Sequence, residues 1–164
     1  MSENQEIDRT DIDILRLLTK DARLSNKEIA ASVGLAPSSC YERTRDLRKR
    51  GVLLGSHAEV DWAGIGLALE ALLFVQLDKL SRQAVDKFVR DTAAVPEVRS
   101  VFLVSGHFDL IVHLVARDMD HLKTLISARF NSRAAVLRVE TSMIFNRQTR
   151  HDLPVAETDE PARG

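Results

Sequence analysis

The stretch SNKEIAASVGLAPSSCYERTRDL, residues 25–47, constrains the fold more than any other part of the sequence. Ser25 with Glu28 three residues later forms a capping box, which predicts the start of a helix. Gly34 is suited to end that helix in a left-handed conformation, and Pro37 is suited to the first turn of the next one. Two short helices separated by so short a glycine turn predict a helix-turn-helix, whose second helix projects from its support.

The flanking sequence completes a three-helix unit. Isoleucine and leucine recur at helical spacing in IDRTDIDILRLLTKDAR, and Asp8 followed by Asp11 predicts the N-terminus of a first helix. The third helix is expected to end at Gly51. Its packed side carries three residues at helical spacing, Cys40, Thr44 and Leu47.

The opposite side of the third helix is polar, as expected of a helix that enters the major groove of DNA. Five Lys/Arg residues and one acid lie between Arg43 and Arg50. Glu42 is unfavourable beside a polyanion but is suited to accept from a cytosine amino group, and Arg43 either neutralises a phosphate or pairs with an acid within the fold. The alternative is a plain three-helix bundle with a solvated charged face. The predicted DNA contacts are Ser38, Ser39, Glu42, Arg43, Arg45 and Lys49.

The pattern changes after Gly51. The segment VLLGSHAEVDWAGIGLAL is interrupted by glycine and partly alternating, which predicts a small hairpin that leads into a linker. From residue 70 the order strand, helix, strand, strand, helix, strand predicts a ferredoxin-like βαββαβ arrangement. The expected strands are Ala71–Leu77, Val98–Ser105, Leu110–Val115 and Val136–Phe145, and the expected helices are Ser81–Ala93 and Met119–Phe130, the latter with Met119, Leu122, Leu125 and Ile126 facing inward.

The sequence therefore predicts an α+β chain of two domains. A winged helix-turn-helix domain is expected at residues 1–60, a linker at 61–69 and the ferredoxin-like domain at 70–147. The acidic, proline-containing tail at 148–164 has little apolar content and is expected to be disordered.

The predicted strands also indicate how the chain associates with a second copy. LIVHLV and VFLV place apolar residues on both faces of the sheet, which is typical of strands covered on both sides. Two helices cover only one face of a four-stranded sheet, so the other face is expected to meet the same face of a second copy. The alternative is that the N-terminal helices fold back onto it. A dimer also suits a palindromic DNA site, which presents two equivalent half-sites.

Composition excludes several other classes of protein. The net charge is −1, the single cysteine cannot form an internal disulfide, and no Cys/His cluster has the spacing of a metal site. No stretch has the length and hydropathy of a membrane span or the pattern of a secretory signal, so a cytoplasmic location is expected. His107 and Asp109 have no accompanying nucleophile, metal set or phosphate loop, and neither an enzyme nor a cofactor is expected.

The combined motifs resemble those of the Lrp/AsnC, or feast/famine, family of bacterial and archaeal transcription regulators. The resemblance runs from about Ile7 to Arg147 and rests on IDRTDIDIL, DARLSNKEIAASVGLAPSSCYERTRDLRKRGVL and VPEVRSVFLVSGHFDLIVHLVARDM. Three positions depart from the family's pattern: Ala36 replaces a Ser or Thr cap, Glu42 replaces an Arg, and His107 replaces an Asp.

The resemblance implies a C-terminal domain of the RAM type that binds a small effector, expected to be an amino acid, in a cleft between subunits. It also implies homodimers that assemble into tetramers or octamers, with the effector favouring one assembly over another. The resemblance thus implies a ligand-responsive regulator that binds double-stranded DNA at a palindromic operator. A DNA-packaging protein with little sequence preference is the alternative. The effector residues that the resemblance implies are Val104, Ser105, Gly106, His107, Asp109 and Thr141.

Overall fold

The computed structural model describes residues 6–78 and 81–154, and the chain forms two compact units. Residues 6–58 and 148–154 belong to the N-terminal unit, and residues 59–78 and 81–147 belong to the C-terminal unit. The expected linker at 61–69 is therefore part of the C-terminal unit, where Trp62 stacks against the guanidinium of Arg99 at 4.0 Å. No helix of the described ranges has both the length and the apolar character needed to cross a membrane.

Three helices build the N-terminal unit: α1 (Arg9–Lys20), α2 (Asn26–Val33) and α3 (Pro37–Lys49). Both predicted N-terminal caps are present. Asp8 and Asp11 form a capping box at α1, and Ser25 and Glu28 form one at α2. Helix α3 starts at a proline and has no side-chain cap, because Ala36 stands at the cap position.

The core of the N-terminal unit lies where the three helices meet. Ala30 is 1% exposed, and this small side chain allows α2 and α3 to approach closely. Leu153, in the tail expected to be disordered, packs against this core; residues 155–164 lie outside the described part of the chain. The buried apolar residues are Ile14, Leu15, Ile29, Ala30, Cys40 and Leu47.

The turn between α2 and α3 depends on Gly34. Its φ of 70° and ψ of 31° are left-handed, and its N–H donates to the carbonyl of Ala30. A Cβ at this position would meet no atom within 4 Å, so only the backbone conformation disfavours a side chain. We expect Gly34→Ala to lower the free energy of unfolding by about 1–2 kcal/mol, measured by chemical denaturation. Gly55→Ala, at a glycine without positive φ, is the matched control and is expected to be neutral; equal effects of the two would contradict the account.

The hairpin expected after Gly51 is not present, because this segment contains no paired strands in the single chain. Within the described residues between α3 and the first strand, the only regular element is a short 3₁₀ turn, Ala63–Ile65. Leu53 packs on the helical core, but Leu54 is 90% exposed. An isolated two-stranded hairpin without further strands is marginal in water, and the packing of Leu53 alone does not support one.

The C-terminal unit has the predicted βαββαβ order. Its four-stranded sheet is antiparallel throughout, with strand order β2-β3-β1-β4, and two helices pack on one face. Ser81 and Asp118 cap the two helices as N-terminal caps. The elements are β1 (Leu69–Leu77), α4 (Arg82–Ala93), β2 (Val98–Leu103), β3 (Leu110–Ala116), α5 (Met119–Ile126), a π-helical turn (Ser127–Asn131) and β4 (Val136–Ile144).

Alternate residues of the central strands face the helices and are fully buried, including Leu73 and Leu110. The intervening residues point to the other side, which we call the free face. Cross-strand pairing places Phe74, Ile111 and Phe102 side by side there. Phe102 is 52% exposed, so this apolar part of the free face is incompletely covered. The free face includes Glu70, Leu72, Phe74, Phe102, Ile111 and His113.

The exposure of Met119 differs from the prediction, and the free face contains a contact between two polar side chains. Met119, predicted to face inward, is 48% exposed, because it begins the first turn of α5 while Leu122 and Leu125 occupy the packed side. On the free face, the Nε2 atom of His113 lies 2.8 Å from Oε2 of Glu70. This contact links β1 to β3 on the free face.

Candidate DNA interface and effector loop

Helix α3 separates a buried side from a polar side. Cys40, Thr44 and Leu47 are buried, and the hydroxyl of Thr44 donates to the carbonyl of Cys40 at 2.9 Å. The polar side faces solvent along the whole helix. Five of the six predicted DNA contacts are exposed on it: Ser38, Ser39, Glu42, Arg45 and Lys49.

Arg43, the sixth predicted DNA contact, is engaged within the fold. Its Nη1 atom donates to Oδ2 of Asp8 at 2.7 Å and to Oδ1 of Asp11 at 2.9 Å. The backbone N–H of Asp11 and the guanidinium of Arg43 hold the pKa of Asp8 below its usual 3.8, and the two carboxylates raise the pKa of Arg43. Of the two alternatives for Arg43, the geometry therefore supports pairing with acids of the fold, which ties α3 to the N-terminus of α1.

We expect Arg43→Met to destabilise the N-terminal unit by about 2 kcal/mol near neutral pH, because the nearly buried carboxylate of Asp11 loses its charged partner. The folded-state pKa of Asp8 is depressed, so its contribution is present above the unfolded pKa and is lost as pH falls through the folded one. The difference between wild type and variant should thus shrink below about pH 4. Chemical denaturation of both proteins at pH 3 and at pH 7 measures this difference in the free energy of unfolding.

A matched control for Arg43→Met is Arg23→Met, which removes an arginine of the same unit from an exposed pair with Asp21. A fully exposed pair of this kind contributes little to stability, because water and salt screen it. Equal losses for the two variants at pH 7 would show that the contacts of Arg43 do not hold α3 in place.

The exposed surface of α3 is electrostatically divided. One side carries Arg45, Arg48 and Lys49, which we call the basic flank; all three are exposed, and the guanidinium of Arg45 lies 5.9 Å from the ring of Tyr41. The other side borders a depression of about 270 Å³, which we call the acidic depression. It is lined by Glu6, Asp8, Asp11, Glu42, Arg43, Asp46 and Arg50.

Arg48 is a functional candidate that the sequence analysis missed. It occupies the last turn of α3, one turn after Arg45, and is exposed. It is not among the six predicted contacts, although its three-residue spacing from Arg45 indicates that the two side chains are neighbours on the helix surface.

The loop after β2 closes tightly on the sheet. Gly106 has a φ of 124°, which favours glycine, and the N–H of Val104 donates to the carbonyl of Asp109 at 2.9 Å. The N–H of Asp109 donates to the carbonyl of Val75, and the N–H of Leu77 donates to Oδ2 of Asp109 at 2.7 Å. One carboxylate oxygen of Asp109 thus fastens the loop to the end of β1.

The remaining predicted effector residues are not all adjacent. Ser105 and His107 are exposed at the tip of the loop, and the ring of His107 packs edge-on against Phe108 at 4.8 Å. Thr141 lies opposite Leu73, four residues along β1 from Leu77, which corresponds to about 13 Å along the strand. Within one chain, the loop residues lie together and Thr141 lies apart from them.

In the part of the chain that the structure describes, no group of three His, Cys, Asp or Glu side chains has a metal-binding arrangement. His107 packs edge-on against Phe108, and Asp109 accepts a hydrogen bond from a backbone amide.

Comparison with known protein families matches each of the two units to a family model. The model of the winged helix-turn-helix DNA-binding domain matches residues 7–53, and the model of the Lrp/AsnC ligand binding domain matches residues 70–153. The chain belongs to the Lrp/AsnC family. It is therefore a DNA-binding transcriptional regulator whose fold class and family agree with those predicted from the sequence.

Individual Lrp/AsnC proteins are similar over most of their length. The HTH-type transcriptional regulator AldR of Mycobacterium tuberculosis is 36% identical over 140 residues, which cover 85% of this chain and 78% of that protein. The leucine-responsive regulatory protein of Salmonella typhimurium is 37% identical over 125 residues, 74% of each chain. A transcriptional regulator of Neisseria meningitidis, solved in complex with L-Met, superposes with a TM-score of 0.83 at 27% identity, covering 91% of this chain and 97% of the other.

Proposed function

We propose that the chain is a metabolite-responsive Lrp/AsnC regulator that binds a palindromic operator as a homodimer or a higher assembly, with an amino acid as effector. The polar side of α3 carries the proposal, because its exposed serines and basic flank combine donors for base edges with charges for phosphates. Such a regulator functions in the cytoplasm, where its DNA lies.

The proposed dimer forms through the free face. Phe102 is half exposed beside Phe74 and Ile111, and an apolar sheet face of this kind is stabilised by burial against an identical one. A two-fold pair of α3 helices then matches two half-sites about one helical turn apart.

The proposed effector site is the loop Val104–Asp109, in a cleft that a second subunit completes, with Thr141 contributed from a separate part of the site. Exposed loop amides are suited to a carboxylate, and the remaining oxygen of Asp109 is suited to an ammonium group. The structure of the Neisseria meningitidis relative with L-Met supports an amino acid as the class of effector. The effector shifts the assembly only as far as its affinities for the two states differ.

Thermal-shift screening of the twenty amino acids, followed by gel shifts on DNA upstream of the chain's own gene, tests this proposal. We expect at least one amino acid to raise the melting temperature and to change the DNA affinity. If none of the twenty does either, an amino acid is not the effector.

A further inference from the structure

Glu42 lies where the two charged sides of α3 meet. It is exposed on the polar side, at the edge of the acidic depression next to the basic flank, in the N-terminal half of the helix. The N-terminal residues of a recognition helix are those that contact base edges. A carboxylate at this point therefore faces the floor of the groove when the basic flank rests on phosphates.

Three basic side chains near Glu42, two from α3 and one from the residue that follows it, have partners other than Glu42. Arg43 is bound to two carboxylates of α1, the guanidinium of Arg45 lies over an aromatic ring, and Arg50 donates to Asp46 at 3.2 Å. Within residues 6–78 and 81–154, no hydrogen bond or ion pair engages the Glu42 carboxylate. Its oxygens are available to a donor on the DNA.

The major groove offers such a carboxylate only two kinds of donor, the N4 amino group of cytosine and the N6 amino group of adenine. Adenine N6 lies between two acceptors, adenine N7 and thymine O4, which repel an anion. Cytosine N4 has an acceptor on one side only, guanine O6. Phosphates and the acceptor edge of guanine are unfavourable partners, so the electrostatics select cytosine.

We propose that Glu42 is a specificity-determining residue that accepts a hydrogen bond from the N4 amino group of one cytosine in each operator half-site. This inference rests on the proposed sequence-specific DNA binding. Glu42 thus contributes discrimination between bases and lowers the affinity for DNA in general, whereas the basic flank raises that affinity for every sequence.

Selection of binding sites from a random duplex library tests the inference with the full-length wild type, Glu42→Ala and Glu42→Gln. The wild type is expected to select one C:G pair per half-site that Glu42→Ala no longer selects. Glu42→Gln is expected to prefer adenine there, since an amide pairs with N6 and N7 of adenine. In anisotropy titrations, replacing that C:G by T:A should weaken the wild type about tenfold or more and Glu42→Ala less than twofold.

Asp46→Asn is the matched control. It removes an acid from the same helix, one turn further on, at a residue already paired with Arg50. It should leave the selected motif unchanged, and melting curves confirm that all variants are folded. A wild-type motif that all three variants share would overturn the role of Glu42. The absence of any motif for the wild type would contradict the proposed sequence-specific function as well.

Discussion

Replacing Arg45 and Lys49 together by alanine is expected to abolish most of the affinity for duplex DNA. Both side chains are exposed on the basic flank of α3, where they neutralise phosphates in the proposed complex. Each lost phosphate contact reduces the slope of log affinity against log salt by about 0.9, so four contacts in a dimer reduce it by about 4. At about 0.1 M salt this corresponds to a loss on the order of a thousandfold, which anisotropy titrations across a salt series measure.

The double variant Lys87→Ala and Lys123→Ala provides the control for charge. It also removes two exposed lysines, from α4 and α5, and leaves α3 intact. Its salt slope is expected to equal that of the wild type. A similar loss in both double variants would mean that net charge, not the basic flank, determines binding.

Phe102→Asp is expected to convert the protein from a dimer to a monomer. Phe102 is half exposed on the free face, so the substitution leaves the fold of the single chain largely undisturbed. In the proposed dimer it introduces a buried, unpaired carboxylate from each subunit, at a cost of about 3 kcal/mol or more. The dimer dissociation constant should therefore rise at least about a hundredfold, as measured by sedimentation equilibrium.

Met119→Asp is the matched control for Phe102→Asp. Met119 has nearly the same exposure, 48% against 52%, but it lies at the start of α5 and not on the free face. The Met119→Asp protein should therefore stay dimeric. A Phe102→Asp protein that dimerises as tightly as the wild type would place the interface elsewhere.

Local chemistry made much of the N-terminal unit predictable. The cap residues Asp8 and Ser25 specify helix starts through contacts three residues away, and Gly34 specifies the turn through its own backbone angle. These effects require no knowledge of the distant chain. The βαββαβ order was predictable for a related reason, since strand and helix periods are local patterns.

Contacts between distant parts of the chain were less predictable. The partners of Arg43 lie 32 and 35 residues away, so the sequence left its role open. Leu153 belongs to a polar tail by composition, yet it packs on the helical core. The hairpin after Gly51 was predicted from a local pattern, but a hairpin needs a supporting partner that the single chain does not supply.

The loop Val104–Asp109 likewise combines a feature set by local sequence with a contact between distant residues. The turn at Gly106 rests on a local property, since its φ of 124° is a backbone angle that favours glycine. The bond from the Leu77 amide to Asp109 spans 32 residues, and no sequence pattern indicated it. In the proposed site the other effector candidates act together with a second subunit, and their role stays a prediction.

The most direct test of the account compares the affinity of the wild-type protein for its selected duplex with that for a shuffled duplex of equal length and composition, in the same buffer. A regulator that reads bases through α3 should bind the selected duplex about a thousandfold more tightly, with two protomers bound per palindrome. Equal affinities, falling together as salt increases, would contradict sequence-specific reading and indicate a packaging protein instead.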